Sequence, residues 1–524
     1  MTTITEKNPS PPKFKVLRPT LKMALCYAVI FAAIIYGISY QDAYILLIIT
    51  PFFALGCGCD KHPLTVLARA TIPALALYST SALKFKITGV PLVTYDHYFI
   101  RENILLLAYN DWRVALCLML ALISLIVYFR GFFLNRSRMT RLEIVSLVAL
   151  VIAAAVCLWN ILDWDKDIFD YNAEQNTPSI RAFLKSSQLP KPQIDTLKDM
   201  DQFLHSTSQT FLIPPAGGKP DLYFILQEST FHPNLLRSGY EPKFLYAKNS
   251  DHTAPLHVHT FGGGTWKSEF SLTVQMRPQE FGGDGMYVFH QLEGRIKRSI
   301  FTVLKELGYR TMVFYPVPGN FLNAHNFYKS IGVDEFYDPA DLAISKGWDW
   351  KLPDAAFYAA MAKKVANSKQ PVVAFMLTIN QHGPHKSDNP MTDYINRFDA
   401  SDIAFGAFIT SLKEQNRKAG VVAFGDHQPE FTSDLIQEHA FWHQTQYDIR
   451  CINFECEQKP IMDQRGKKLD IVLLSTMAFE TFGFTLDNFS SLQKLIFSTC
   501  EKDITHCDDT TRRTFNTAFS RYFR

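Results

Sequence analysis

Asp221-Leu222-Tyr223-Phe224-Ile225-Leu226-Gln227-Glu228-Ser229-Thr230 sets a short apolar run directly before a carboxylate and two hydroxyls. Leu222–Gln227 has no polar alternation, so it reads as a strand covered on both faces. Runs of the same kind recur at Thr311–Tyr315, Val372–Ile379, Val421–Phe424 and Ile471–Leu474, with helical patterns between them at about 297–308, 354–367, 393–416 and 490–498. Strands alternating with helices predict an α/β sandwich around a mostly parallel sheet. In such sheets chemistry gathers at the carboxyl ends of the strands.

Two strand ends carry groups suited to a metal. Glu228 follows the first strand, and Gly425-Asp426-His427-Gln428-Pro429 follows the fourth. A carboxylate from one and an Asp-His pair from the other would converge on one divalent cation, with the mixed oxygen and nitrogen ligands that Mn²⁺ or Zn²⁺ accepts and Mg²⁺ as a further candidate. The plain alternative is a solvated Glu and an ordinary Asp-His turn.

Phe261-Gly262-Gly263-Gly264-Thr265-Trp266-Lys267-Ser268-Glu269-Phe270 adds a candidate nucleophile. The glycines let a phosphate approach the backbone, and the helical pattern that follows puts Thr265 at an anion-favouring helix start. A threonine hydroxyl needs activation, which a divalent cation supplies by lowering its pKa. Thr265 as a helix cap is the bland alternative, and Thr230 is the competing nucleophile. A last element, Thr378-Ile379-Asn380-Gln381-His382-Gly383-Pro384-His385, offers His382 to bind a phosphoryl oxygen or protonate a leaving alkoxide, with His385 as its rival.

Upstream of this domain the composition changes. The chain has 524 residues, 47% of them hydrophobic, and five apolar stretches at about 20–38, 43–59, 63–83, 113–133 and 143–163 have the length of membrane helices. Residues 1–163 are therefore expected to form a transmembrane bundle, 164–219 a linker with helices at about 180–186 and 195–205, and 220–524 the folded outer domain. A basic N-terminus and the arginines at 130, 136, 138 and 141 predict an inside N-terminus, which puts the domain outside, in the periplasm of a cell that has one. The stretch 87–112 reads equally as an interfacial amphipathic element or an outer loop. Cys451, Cys456, Cys500 and Cys507 then fall where disulfides form, with the pairing open. A net charge of +3 gives no reason to expect a nucleic-acid partner.

These motifs, in this order, resemble the lipoteichoic acid synthase and phosphoglycerol transferase family of the alkaline phosphatase–sulfatase superfamily, to which phosphoethanolamine transferases are related. The resemblance covers roughly residues 220–430 and the five-span layout. It implies a sulfatase-like sandwich and metal ligation by Glu228, Thr265, Asp426 and His427. It further implies Thr265 as nucleophile and His382 as a substrate histidine. Phe327-Tyr328-Lys329-Ser330-Ile331-Gly332 and Phe336-Tyr337-Asp338 also match a family segment. One departure concerns specificity: Leu322 and Ala324 stand where the Gram-positive polymerases have a Trp and an Arg that contact glycerol phosphate, leaving Asn323, His325 and Asn326 to make other polar contacts.

The activity implied is transfer of phosphoethanolamine or phosphoglycerol from phosphatidylethanolamine or phosphatidylglycerol to an envelope glycan or lipid, at the bacterial inner membrane. Candidate acceptors are lipooligosaccharide core and periplasmic glucan. The alternatives are a phosphodiesterase or phosphatase of the same fold, and a membrane-anchored binding protein without catalysis. A formylglycine sulfatase is disfavoured, because no Cys/Ser-x-Pro-x-Arg run occurs.

Overall fold

The computed structural model describes residues 212–345, 352–383, 385, 388–436, 441–457 and 469–499, with isolated upstream positions at 71–73, 77, 80, 81, 92, 96, 119 and 148. Chain contacts divide the protein into two compact units, Met1–Thr94 with Leu105–Ser187, and Tyr95–Ile104 with Gln188–Arg524. The expected membrane spans and linker helices lie almost wholly outside the described residues. Among the described residues no helix is long and apolar enough to cross a membrane. From the stretch 87–112, Asp96 is buried and accepts a hydrogen bond from the Tyr287 hydroxyl at 2.6 Å, within the larger unit. The rest of that stretch, apart from Leu92, is outside the described residues.

The larger unit is built on one sheet. Its strands are β1 (Asp221–Gln227), β2 (His252–His257), β3 (Arg310–Phe314), β4 (Glu335–Tyr337), β5 (Val372–Leu377), β6 (Ala419–Gly425), β7 (Gln444–Ile452) and β8 (Leu469–Asp470), in the order β4-β3-β5-β1-β6-β7-β2-β8. β1 is buried along its whole length and pairs in parallel with β5 and β6, as its unbroken apolar run requires. Among the described strands only β7 runs against its neighbours, antiparallel to both β6 and β2. The expected mostly parallel sheet is therefore present, with one reversed strand.

Helices cover the sheet: α1 (Thr265–Val274), α2 (Val288–Gln291), α3 (Ile300–Glu306), α4 (Ala324–Ser330), α5 (Asp354–Ala366), α6 (Pro390–Glu414), α7 (Ile471–Thr481) and α8 (Asn488–Thr499). Four of the expected strands and all four expected helical segments are found at or near their places. The fifth strand is a correction, since Ile471–Leu474 opens α7 instead. The Asp470 side chain accepts from the Val472 N–H and caps that helix, and a short apolar run has no periodicity to separate a buried helix from a buried strand. β2, with Pro255 and little apolar character, and β7 carried no comparable signal. Beyond β7, Cys451 and Cys456 are joined by a disulfide with their Cα atoms 5.6 Å apart. Cys500 and Cys507 are outside the described residues.

Candidate active site

Because β1, β5 and β6 are parallel, Gln227, Leu377 and Gly425 end at one edge of the sheet, and the polar residues that follow them meet there. Gly425 is required at this junction: a Cβ on it would lie 1.7 Å from the Thr230 carbonyl oxygen. Only a glycine lets the chain after β1 pack that closely on the end of β6.

The side chains of Glu228, Asp426 and His427 are buried, and each presents a ligand atom within 4.8 Å of the others. Ser229, with φ at +51°, turns its N–H onto Asp426 Oδ1 at 2.7 Å and its hydroxyl onto Glu228 Oε1 at 2.8 Å. His427 Nδ1 lies 3.0 Å from the Gln428 carbonyl. A carbonyl only accepts, so Nδ1 carries the proton and Nε2 keeps the lone pair a metal needs. That Nε2 is 3.2 Å from Asp426 Oδ2 and 3.5 Å from Glu228 Oε1.

The electrostatics of this trio fit a cation. Burial, then the Asp426 charge, raises the Glu228 carboxyl above its ordinary value, and burial raises Asp426 to about 7. Burial lowers His427. Asp426 Oδ2 is buried with no hydrogen-bond donor. Crowded carboxylates, an imidazole held in its ligating tautomer and an orphaned oxygen together suit a divalent ion of the Mn²⁺ or Zn²⁺ class.

Thr265 is the first residue of α1, and its hydroxyl points into the same cluster. Oγ1 donates to Glu228 Oε2 at 3.0 Å and lies 3.3 Å from His427 Nε2. Its position depends on Gly262, Gly263 and Gly264, all at positive φ. Gly264 is the left-handed residue that starts the helix, and a Cβ there would also press on Thr260 Oγ1 at 2.8 Å. Two bonds fix the glycine run against β6: the Gly262 N–H donates to the Gln428 carbonyl at 2.9 Å, and Ser268 Oγ donates to the Asp426 carbonyl at 2.6 Å. Thr230 is turned elsewhere, donating to Gln381 Oε1 at 2.9 Å and to the Glu228 carbonyl.

His382 follows β5 at the same edge. Its Nδ1 lies 2.6 Å from the Gly383 carbonyl, and because a carbonyl only accepts, that nitrogen carries a proton. It lies close enough to Glu228 and His427 to act electrostatically on both, and Arg397 Nη1 anchors its carbonyl at 2.9 Å. His385 is packed edge-on against Phe431 and Tyr394, with its side chain 5% exposed, and burial, reinforced by Arg397, lowers it to about 4. Asn323 and His325 lie at the start of α4. Asn323, at φ +64° after Leu322 at +51°, donates to the Phe289 carbonyl and Glu293, while His325 is exposed with its ring against Phe336.

The supporting contacts of Ser229, Gln381, Gln428 and Arg397 were not singled out from the sequence. Ser229, Gln381 and Gln428 stood inside quoted motifs, but only the folded chain shows which atoms they hold.

Residues 220–454 match the sulfatase family. Three relatives align by sequence. An uncharacterized protein of Haemophilus influenzae is 26% identical over 303 residues, 52% of this chain and 55% of that protein. The lipoteichoic acid synthase-like YvgJ of Bacillus subtilis is 27% identical over 241 residues, 43% of this chain and 36% of that protein. A putative cyclic beta-1,2-glucan modification protein of Rhizobium meliloti is 22% identical over 335 residues, 56% of this chain and 51% of that protein. The chain thus spans about half or less of the length of these relatives.

Proposed function

Because residues 220–454 match the sulfatase family, we propose that the chain is a metal-dependent phosphotransferase of the inner membrane, its catalytic domain on the periplasmic side. It takes phosphoethanolamine or phosphoglycerol from a phospholipid and delivers it to an envelope glycan or lipid. The observation that carries this reading is the Thr265 hydroxyl, hydrogen-bonded to Glu228 and beside His427 at the start of a helix. The names of the Bacillus and Rhizobium relatives, a lipoteichoic acid synthase-like protein and a glucan modification protein, favour an envelope polymer or glucan as acceptor.

Glu228, Asp426, His427 and Thr265 would hold the metal, which when bound lowers the pKa of the threonine hydroxyl and offsets charge on the phosphoryl oxygens. Thr265 Oγ1 donates a hydrogen bond to Glu228 Oε2, the carboxylate oxygen placed to take the proton as the hydroxyl attacks. Thr265 Oγ1 forms a bond to phosphorus as the phosphorus–oxygen bond to diacylglycerol breaks, and His382 gives the leaving alkoxide its proton. The acceptor hydroxyl then attacks the phosphothreonine, giving its proton to His382 as the Thr265 Oγ1–phosphorus bond breaks, and Glu228 returns the first proton to Oγ1. The N-terminus of α1 favours the phosphate held there between the two steps. Asn323 and His325 are assigned to the head group, in place of the family's Trp and Arg, and His382 takes precedence over the packed His385.

The test is intact mass of the full-length protein, wild type and Thr265→Ala, incubated with Mn²⁺ or Zn²⁺ and either phosphatidylethanolamine or phosphatidylglycerol. A gain of one phosphoethanolamine or phosphoglycerol in the wild type alone establishes nucleophile and donor together. An adduct retained in Thr265→Ala but lost in Thr230→Ala would transfer the role to Thr230. Lipid cleaved with no glycan product, when glycan is supplied, would make the protein a hydrolase.

A further inference from the structure

At the same edge of the sheet, two strands beyond β6, His257, His259 and Asp470 come together outside the site described above. His257 ends β2 and stands in register with Asp470 at the end of β8. Val258 between the histidines is fully buried, whereas both histidines are partly exposed. His259 Nε2 is 3.0 Å from Asp470 Oδ1, and one ligand atom from each of the three residues lies within 4.8 Å of the others.

The spacing of the rings is more telling than their proximity. The His257 and His259 ring centres are 5.1 Å apart with the planes at 89°. Two imidazoles on one tetrahedral zinc, with Zn–N of about 2.0–2.1 Å, hold their ring centres about 5 Å apart and their ligating nitrogens about 3.3 Å apart. Asp470 keeps ligating capacity although it caps α7, because a carboxylate accepts at both oxygens. The His443 ring stands 6.1 Å from that of His257 on the same rim.

We infer that His257, His259 and Asp470 form a second transition-metal site of the Zn²⁺ class, separate from the Glu228–Asp426–His427 site. Two imidazoles and one carboxylate leave a fourth position for water. The ion ties the exit of β2, which leads directly into the glycine run before Thr265, to the start of α7, and so braces the segment that delivers the nucleophile. The inference stands whether or not the proposed transferase activity is correct.

Zinc content of the full-length protein, measured by elemental analysis after equilibration with Zn²⁺ and removal of free ion, decides the matter. Wild type should carry two ions and Glu228→Gln/Asp426→Asn one. Adding His257→Ala and His259→Ala to that variant should leave none. In the Glu228→Gln/Asp426→Asn protein, Zn²⁺ should raise the unfolding temperature, and Co²⁺ should give the visible absorption of a tetrahedral nitrogen–oxygen site. Asp470→Asn, which preserves the helix cap, should weaken Zn²⁺ binding at this site without a large drop in the metal-free unfolding temperature. A folded Glu228→Gln/Asp426→Asn protein that binds no Zn²⁺, or a His257→Ala/His259→Ala protein that still binds two, overturns the inference.

Discussion

Glu269 lies fully buried on α1, with Tyr315 and Tyr328 donating their hydroxyls to its two oxygens at 3.3 and 2.5 Å. Burial lifts its carboxyl from 4.5 to about 8, against the lowering effect of those hydrogen bonds. A carboxyl whose pKa is raised in the folded state binds a proton there that the unfolded chain has already lost. Its contribution to stability is full below 4.5 and disappears as the pH climbs to about 8. Glu269→Gln keeps the shape and removes the titration. The unfolding temperature of the wild type should therefore fall relative to Glu269→Gln across that window, and a constant difference between the two would contradict it. At this scale the sequence drew attention to groups that follow a strand or a glycine turn, Glu228, Thr265, Asp426 and His427, and the fold gathers their side chains. It was silent on Ser229 and Gln381, whose partners Asp426 and Thr230 are set by which strands become neighbours.

Helix α1 is held at both ends, and the two ends have different tasks. Its N-terminus aims Thr265. Its C-terminus stops at Gln275, whose Oε1 accepts from Arg298 Nη1 at 2.6 Å. Arg298 also donates to Asp487 Oδ2 at 2.6 Å and lies 4.2 Å over the Phe489 ring, so one guanidinium joins α1 to the start of α8. Arg298→Ala would strand the buried Asp487 carboxylate, and a loss of about 3–5 kcal/mol is expected, read as a lowered denaturant midpoint. Element by element, the buried strands of the sheet were visible as apolar runs, and the long amphipathic helices as periodic ones. β2 was not, because HTAPLH pairs through its backbone to β7 and β8 while offering little apolar pattern. The misreading of Ile471–Leu474 has the same root, since α7 is buried on nearly every side and shows no stripe.

For the molecule as a whole, the proposed transfer requires the sheet edge that carries Thr265 to lie on the periplasmic side of the membrane. The Cys451–Cys456 bridge offers an independent check. Thiols in the cytosol are kept reduced, whereas the periplasm oxidises them. The pair therefore reports, in each molecule, the compartment in which that molecule finished folding. Peptide mass spectrometry on cells quenched with acid and alkylated under denaturing conditions should find the peptide bearing Cys451 and Cys456 unmodified until a reductant is added. Alkylation before reduction would place the domain on the cytosolic face. Protein held up before translocation would appear as an alkylated fraction, making this short loop an internal gauge of export efficiency.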